Sequence, residues 1–489
     1  MRNYLGLDIG TSGCKAAVFD ESGRLLSLAR RDYELHFTPD GGAELDSDLV
    51  IARCLDAMAE AKAQVGGPVR AMAVSSQGEA FTAVDAGGRS LCRAMVSSDV
   101  RAAAQARDWP ERFGPDRLYQ ITGHTAHPMF TLFKLLWLRD HRPEVWAGAR
   151  KFLCFEDLLH LRLGLEPAIG WPLAGRTMLF DVRRHEWSRD ILEAVGLTAD
   201  RLARPLASGS AVGRTHDGML VVSGGHDQTC GALGAGVTRS GVAMYATGTV
   251  ECITSAFDTP IFAEQLRRHN LCTYDHTAPG LYATVAFSLT GGNLLKWFRD
   301  EFAPGQSYEE LLAGMPVTPT NLLVLPYWTP SGTPYFDCDT PGAILGLRLS
   351  THRIEILRAL LEGVAFEMRL NLGILESAGC HLEELRAVGG GSRSPMWNQL
   401  KADVLGMPLT RLEISEAGCL GAAILACASD TGRTAAQISA EWVKPGERFE
   451  PISSNVGWYN GQFDCYKRMR TAMRTVLNAR DGEATCDRK

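Results

Sequence analysis

Glycine-rich turns beside hydroxyl and charged side chains occur twice in the chain, and both are of a type that can hold phosphate groups. The first turn lies between two short apolar runs and contains Asp8, Gly10, Thr11, Ser12, Gly13 and Lys15. Glycine lets the backbone approach a phosphate closely and turn its amide hydrogens inward. Thr11 and Ser12 can donate hydroxyl hydrogens, and Lys15 can offset phosphate charge. Asp8 can hold Mg²⁺ through water, since that ion dehydrates reluctantly.

The same order of apolar run, Gly-Thr turn and apolar run returns at Gly248 and Thr249. A single turn of this kind is equally well explained as an ordinary β-hairpin with an exposed lysine. Its recurrence favours the phosphate-binding interpretation, with one turn in each half of the chain. We interpret the repeat as an internal duplication and predict a boundary between two lobes near residue 238.

A third glycine-rich segment, Gly389-Gly390-Gly391, lies between a predicted strand and a helix predicted to begin near Pro395. Bare backbone at a helix N-terminus suits a nucleotide, although a loop that needs positive φ angles is an equal alternative. The chain contains no G-x-x-x-x-G-K-[ST], which excludes a P-loop, and the glycines at 231–236 do not match G-x-G-x-x-G. A nucleotide site must therefore be of another type, and an oxidoreductase that binds a dinucleotide is disfavoured.

Asp227 follows an apolar run at 220–222 and the turn-like Gly224-Gly225-His226. This position, the carboxyl end of a predicted strand and the beginning of a predicted helix, is where α/β sheets present reactive groups. We expect the carboxylate to stay ionised, because a helix N-terminus favours the charged form. A helix N-cap is the structural alternative, and the two roles are compatible.

Two polar segments are candidates for binding hydroxyl groups. Gln77, Gly78 and Glu79 follow a predicted strand at 69–75, and Asp99 with Arg101 forms a predicted ion pair. Charged and bidentate groups of this kind suit sugar hydroxyls, although a surface ion pair is the ordinary explanation for the second segment.

The elements that must position these residues belong to a mixed α/β protein. Strands are predicted at 4–9, 15–20, 69–75, 220–222, 242–246, 250–255 and 385–388. Helices are predicted at 49–65, 128–145, 353–378, 396–405 and 459–477, with a short one after Asp227. At 489 residues, the chain is long enough for two lobes that each bury a core.

The bulk composition favours a small-molecule partner. Apolar residues make up 45% of the chain and charged residues 22%, and the formal net charge of −6 comes without a basic stripe. Nucleic acids and membranes are therefore disfavoured as partners. The 13 cysteines show no C-x-x-C spacing, as in a reducing compartment. Without a signal peptide or an apolar run of about 18 residues, the chain is predicted to be cytoplasmic.

Together these segments resemble the FGGY carbohydrate kinases, the group that includes xylulokinase, gluconokinase, fuculokinase and glycerol kinase. The most specific part is GGGSRSPMWNQLKADVLG at 389–406, which is similar to the second signature of the family. LEGVAF at 361–366, GAA at 421–423, KLLWL at 134–138 and GGHD at 224–227 also resemble family segments in their expected order. The resemblance covers nearly the whole chain.

The resemblance implies two ribonuclease H-like lobes of the actin-like ATPase type, with ATP and a sugar in the interdomain cleft. We expect an N-terminal lobe at 1–238, a C-terminal nucleotide-binding lobe at 239–455, and a helix at 456–489 that packs back on one lobe. Closure of such a cleft excludes water. A homodimer is an open alternative.

The resemblance also assigns roles, with Asp227 as the catalytic base and Asp8 as the residue that organises Mg²⁺. The positions that match phosphate-contacting residues are Thr11, Ser12, Lys15, Gly248 and Thr249. The positions that match the adenosine pocket are Gly292, Lys296, Gly390, Gly391 and Ser394. The positions that match the sugar site are Gln77, Gly78, Glu79, Asp99, Arg101 and Asp227.

Departures from the family pattern bear on the substrate. Ser97 stands where many members have an aromatic residue, and Gly78 and Met129 stand where glycerol kinases have Arg and Tyr. The resemblance therefore disfavours glycerol and favours a ketose such as xylulose or fuculose. The alternatives are a kinase for erythritol, gluconate or another polyol or sugar acid, and a non-catalytic nucleotide-binding protein of the actin-like type.

Overall fold

The computed structural model describes residues 2–414 and 416–486. Its core consists of two mixed β-sheets. The first sheet has six strands, in the spatial order Ala211–Arg214, Leu220–His226, Val69–Ser76, Asn3–Ile9, Gly13–Asp20 and Leu25–Asp32. The second sheet has seven strands, in the order Tyr274–Asp275, Tyr282–Ser288, Glu251–Phe257, Val242–Thr247, Glu384–Val388, Leu409–Leu412 and Pro445–Phe449.

Both sheets are built in the same way. An antiparallel meander, which starts at Asn3–Ile9 in one sheet and at Val242–Thr247 in the other, is extended by two parallel strands and an antiparallel edge strand. The repeated arrangement confirms the internal duplication predicted from the two Gly-Thr turns. The fold is thus mixed α/β with two lobes of ribonuclease H-like topology.

Helices cover the faces of both sheets. Those before the second sheet are Ser47–Ala63, Ala103–Phe113, Pro115–Thr122, Thr131–His141, Pro143–Gly148, Phe155–Arg162, Trp171–Gly175, Arg189–Val195 and Asp227–Gly234. Those after its first strand are Glu264–Arg268, Gly292–Phe302, Tyr308–Ala313, Arg353–Ser377, Pro395–Leu405, Ala417–Thr431, Ala435–Trp442 and Ser453–Cys486. Two short 3₁₀ helices lie at Ala199–Arg201 and Gly390–Arg393.

The other strands form small sheets of two or three strands each. Their strands are His36–Phe37, Ala43–Leu45, Ala94–Met95, Thr82–Val84, Lys151–Leu153, Ala168–Gly170, Arg204–Leu206, Phe180–Asp181, Glu186–Trp187, Leu323–Leu325 and Ala343–Leu345. In the described part of the chain, no helix combines the length and the apolar character that a bilayer crossing requires.

The two lobes meet where the helices Asp227–Gly234 and Ala417–Thr431 cross. A Cβ atom on Gly421 would lie 1.9 Å from the carbonyl oxygen of Cys230, and one on Gly234 would lie 2.0 Å from that of Ala417. Because such approaches are shorter than any real Cβ contact, only glycine permits the two backbones to touch here. The helix Ala417–Thr431, which lies in sequence between two strands of the second sheet, thus packs against the first sheet.

The C-terminal helix packs against the second lobe. Its buried residues Tyr459, Tyr466 and Met469 join the core formed by the helices Arg353–Ser377 and Pro395–Leu405. Tyr459 also donates a hydrogen bond to Glu362, at 2.7 Å. Residues 487–489 of the predicted C-terminal segment lie outside the described residues.

Most predicted elements are confirmed within a few residues, and three differ. The helix predicted at 128–145 begins only at Thr131 and is interrupted at Arg142, because Pro143 starts a new helix. The strand predicted at 220–222 continues through His226, since Gly225 and His226 pair in parallel with the neighbouring strand. The C-terminal helix begins at Ser453 rather than at residue 459.

Candidate active site between the lobes

A cavity of about 180 Å³ lies between the lobes. The first lobe contributes Thr11, Gln77, Gly78, Glu79, Ser97, Arg176 and Asp227 to its lining. The second lobe contributes Cys252, Asn270, Cys272, Val285, Phe287 and Phe336. Five of these residues were predicted as site residues from the sequence, and the cavity brings them together: Thr11, Gln77, Gly78, Glu79 and Asp227.

Asp227 is the first residue of the helix Asp227–Gly234, and the N-cap position is occupied by His226. The N-cap alternative for Asp227 is therefore wrong by one residue. The carboxylate Oδ1 atom lies 3.1 Å from Nε2 of His226 but makes no hydrogen bond to any residue that the structure describes. A buried carboxylate oxygen without a partner costs stability in a folded protein, which marks this position as a candidate reactive group.

The environment of Asp227 raises the pKa of its carboxyl group to about 7, through burial first and then through the nearby charges of Asp8 and Glu79. The expectation that this carboxylate simply stays ionised is thus wrong. The helix N-terminus favours the anion, as predicted, but burial and like charge outweigh it. A carboxyl group whose pKa lies near neutrality is suited to accept a proton during a reaction.

Asp8, at the end of the strand Asn3–Ile9, accepts a hydrogen bond of 2.6 Å from the Ser75 hydroxyl. Burial raises the pKa of Asp8, while Ser75 and Lys15 oppose this effect. The charge of Asp8 in turn raises the pKa of Asp227, and a cation bound at Asp8 would offset this repulsion. Among the described residues, no group of three or more acidic, histidine or cysteine side chains surrounds a common point. One or two carboxylate oxygens nevertheless fit Mg²⁺, which keeps several waters and binds phosphate oxygens.

The first Gly-Thr turn is closed by a hydrogen bond of 3.0 Å from Gly10 N to Gly13 O. Gln77 fixes it from the neighbouring strand, since its Nε2 donates to Gly10 O at 2.8 Å. The Thr11 hydroxyl lies 3.4 Å from Oε1 of Gln77. Thr11 and Ser12 are both exposed, and Thr11 also lines the interlobe cavity.

The second Gly-Thr turn is joined to the helix Gly292–Phe302. Gly292 N donates to Gly248 O at 2.9 Å, and Asn293 N donates to Thr249 O at 3.1 Å. A Cβ atom on Gly292 would lie 2.4 Å from Gly248 O, so this close approach requires glycine. The structure thereby brings Gly248, Thr249 and Gly292 together.

The two predicted lysines are engaged elsewhere. Lys15 Nζ bonds to Glu416 at 2.8 Å, and Lys296 Nζ bonds to Asp300 at 2.5 Å. Neither residue lines the interlobe cavity. A role for either ammonium group at a phosphate would require it to leave its carboxylate.

A second, larger cavity of about 680 Å³ lies in the second lobe and is lined by Gly390, Gly391, Ser394, Tyr308 and Met396, among others. Ser394 caps the helix Pro395–Leu405 by accepting from Trp397 N at 3.3 Å. The three residues predicted from the glycine-rich segment thus lie together at a helix N-terminus, where phosphates and nucleotides bind readily.

Glu79 has a positive φ of 63°, which is uncommon for a residue other than glycine. Its carbonyl oxygen accepts from the Thr131 hydroxyl at 2.7 Å and from Lys134 Nζ at 3.0 Å. The same ammonium group donates to the carbonyls of Met95 and Val96. Burial lowers the pKa of Lys134 to about 8. These bonds hold the 77–79 segment in place against the cavity.

Asp99 and Arg101 do not line the interlobe cavity. Arg101 bonds to Asp99 and Glu44, both at 2.6 Å, and its guanidinium lies 4.4 Å from the centre of the Trp137 ring. Asp99 is fully buried. The pair is a buried structural one, and Ser97, two residues earlier, is the member of this segment that reaches the cavity.

Sequence reasoning missed Arg176, His124, Asn270 and Tyr274. Arg176 lies in a mostly apolar segment directly after the helix Trp171–Gly175, and a lone arginine there was the available signal. Tyr274 contacts His226, whose Nδ1 lies 2.9 Å from the tyrosine hydroxyl. Asn270 has a positive φ of 56° and carried no recognisable motif.

Comparison with protein families gives two matches that together span most of the chain. Residues 3–234 match the N-terminal domain of the FGGY family of carbohydrate kinases, and residues 243–429 match its C-terminal domain.

Individual proteins are similar over almost their full length. The chain is 28% identical to a xylulose kinase of Bacillus subtilis, covering 98% of this chain and 99% of that protein. It is 30% identical to a glycerol kinase of Methylibium petroleiphilum, covering 92% and 95%. Among solved structures, a xyloylose kinase from Brucella ovis superposes with a TM-score of 0.90 at 26% identity, covering 97% of this chain and all of that one.

Proposed function

The chain belongs to the FGGY family of carbohydrate kinases, and we propose that it transfers the terminal phosphoryl group of ATP to a hydroxyl of a small ketose, with Asp227 as the base. Membership makes the protein a phosphotransferase that acts on an alcohol group and takes ATP as donor. The similarity to xylulose kinases over nearly the whole chain supports xylulose as the first acceptor to test.

One observation carries the assignment of the base. Asp227 lies in a cavity lined by both lobes, its Oδ1 atom has no hydrogen-bond partner among the described residues, and its pKa is raised to about 7. Phosphoryl transfer depends mostly on positioning and on charge stabilisation. The remaining task is to accept the proton of the attacking hydroxyl, and Asp227 is suited to it.

We assign the donor side to the residues around the two Gly-Thr turns and the third glycine-rich segment. Thr11, Ser12, Gly248 and Thr249 offer hydroxyls and backbone amides for the phosphates. We propose that Gly390, Gly391 and Ser394, which line the second cavity, bind the adenosine together with Gly292. Lys15 and Lys296 are secondary candidates, because each would first have to leave its carboxylate partner.

Asp8 is proposed to hold Mg²⁺ through water. When bound, the ion neutralises charge on the phosphate oxygens. Asp8 contributes a carboxylate that the Ser75 hydroxyl holds in a fixed orientation. Gly418 leaves room beside it, since a Cβ atom there would lie 3.0 Å from Asp8 Oδ1.

On the acceptor side, Gln77, Gly78 and Glu79 are proposed to face the sugar. A Cβ atom on Gly78 would lie 2.9 Å from the imidazole of His226, so a larger residue would displace that ring. Asp99 and Arg101 are weaker candidates for sugar ligands, because neither residue lines the cavity. We divide the chain into lobes at 1–238 and 239–455 with a helix at 456–489, and we leave a homodimer as a prediction.

The experiment that tests the proposal is an ADP-release assay over ketopentoses, deoxyketohexoses, aldonates and tetritols. The proposal expects ADP formation that depends on one of the ketoses. Nucleotide binding without turnover on the whole panel would instead favour the non-catalytic alternative.

A further inference from the structure

Arg176 carries the sole permanent positive charge among the described residues that line the interlobe cavity. Its Nε donates to Oε1 of Glu79 at 2.6 Å, and its Nη2 contacts the same oxygen. Its Nη1 lies 3.2 Å from Nε2 of His124. The side chain is 10% exposed. The guanidinium is therefore held in one orientation at the wall of the cavity.

The histidine beside it is neutral. Nδ1 of His124 lies 2.7 Å from Thr122 O, so this atom carries the hydrogen and donates it to the carbonyl. Nε2 is then left as an acceptor for Arg176 Nη1. Burial, with Arg176 as a second cause, lowers the pKa of His124 to about 3. Burial likewise lowers the pKa of His226 well below its usual value. Neither imidazole adds positive charge to the cavity.

The charge of the cavity is thus balanced or negative. Glu79 neutralises Arg176, and Asp227 adds a second carboxyl group that is about half ionised near neutral pH. Lys134 does not change this balance, because its ammonium group is buried behind the cavity and bonded to three carbonyl oxygens. No cation is left over for an anionic ligand among the lining residues that the structure describes.

We propose that the Glu79–Arg176 pair restricts the acceptor site to uncharged polyhydroxy compounds and rejects sugar acids. This inference rests on the kinase function proposed above. An uncharged sugar can accept hydrogen bonds from Arg176 and donate to Oε2 of Glu79, which has no partner among the described residues. The carboxylate of an aldonate would have to be buried near Glu79 and Asp227 without a free cation, which a site of this kind disfavours strongly.

The test compares kcat/KM for the best uncharged acceptor of the panel with kcat/KM for D-xylonate and D-gluconate. Wild type is expected to prefer the uncharged acceptor by at least about 100-fold. Glu79→Gln keeps the size of the side chain but releases the charge of Arg176. It is expected to lower this preference by at least about tenfold, mainly through KM for the aldonates.

Two further variants separate charge from a general loosening of the cavity. The double variant Glu79→Gln/Arg176→Gln has neither charge and is expected to keep rejecting aldonates. Glu362→Gln, in a buried pair with Arg358 that does not line the cavity, serves as the matched control and should leave the preference unchanged. If Glu79→Gln does not fold, Arg176→Gln alone is expected to raise KM for the uncharged acceptor about tenfold or more, with KM for ATP unchanged.

Failure of the charge selection and failure of the proposed kinase function give different results. If wild type phosphorylates D-gluconate as well as any uncharged sugar, or if the double variant accepts aldonates as well as Glu79→Gln does, the charge selection is wrong and the kinase assignment stands. An unchanged KM for the uncharged acceptor in Arg176→Gln would also overturn the inference. If no acceptor of either kind is phosphorylated, the proposed function itself fails.

Discussion

Nε2 of His226 lies 3.1 Å from Oδ1 of Asp227, and Nδ1 of the same ring lies 2.9 Å from the hydroxyl of Tyr274. Because Nε2 faces a carboxyl group, the tautomer with its hydrogen on Nε2 is favoured, and the Tyr274 hydroxyl then donates to Nδ1. Tyr274 belongs to the second lobe, whereas His226 and Asp227 belong to the first. The imidazole beside the proposed base is therefore held by a contact between lobes.

Tyr274→Phe tests this contact, because it removes the hydroxyl and leaves the ring packing intact. We expect kcat to fall about three- to tenfold, with a smaller change in KM for ATP, since one neutral hydrogen bond is lost from a positioning residue. Steady-state kinetics with the best acceptor measure the effect. Unchanged kcat would show that the tyrosine does not position His226 for the reaction.

Asp227→Asn is expected to stabilise the ligand-free protein at alkaline pH. The pKa of this carboxyl group is raised from 3.8 to about 7, so the folded state holds the proton more tightly than the unfolded state. The stability linked to that proton is fully present below pH 4 and is lost as pH rises through 7. Above pH 7 the wild type therefore bears an ionisation cost of roughly 1–4 kcal/mol that asparagine avoids.

Urea unfolding at pH 5 and pH 8 checks this prediction. The free energy of unfolding of Asp227→Asn should exceed that of wild type by more at pH 8 than at pH 5. An equal difference in the free energy of unfolding at pH 5 and at pH 8 would mean that the pKa of Asp227 is close to normal.

Lys134→Met should destabilise the first lobe by about 2–5 kcal/mol, because the carbonyls of Glu79, Met95 and Val96 would each lose a buried donor. Thermal unfolding measures the loss. Lys134 also holds Glu79 in a backbone conformation with a positive φ. Its loss should therefore shift this segment of the cavity wall and raise KM for the acceptor. The half-exposed Lys62, whose partner is Asp217, offers a control: Lys62→Met should change stability by less than about 1 kcal/mol.

Gly391→Ala should weaken ATP binding. A Cβ atom at this position would lie 2.3 Å from Cγ2 of Thr247 and 2.8 Å from the Trp397 ring, so the wall of the second cavity must move. We expect KM for ATP to rise at least about threefold, with KM for the sugar less affected. Gly373→Ala is the matched control, because a Cβ there meets no atom within 4 Å.

Much of the fold and part of the site could be predicted from the sequence. Strand and helix positions followed from apolar periodicity, and the two Gly-Thr turns revealed the repeated topology. Asp8, Thr11, Gln77 and Asp227 could each be placed at or just after a predicted strand, and the resemblance to the FGGY kinases assigned them to one site. These are local signals that a single segment carries by itself.

Other features depend on contacts between distant segments. Glu416 lies 401 residues from Lys15 and engages its ammonium group, which the local motif of Lys15 did not indicate. Arg176 reaches the cavity because it pairs with Glu79, 97 residues earlier. The raised pKa of Asp227 arises from burial and from charges brought close by folding, so the helix N-terminus alone gave the wrong expectation.

The most direct test of the account is a single-turnover measurement with Asp227→Asn, saturating ATP and the best acceptor. We expect the rate of phosphoryl transfer to fall by about 10²–10⁴-fold, while the dissociation constant for ATP changes little, because the variant removes only the group that accepts the proton. Transfer within a factor of about three of the wild-type rate would contradict the assignment of Asp227 as the base.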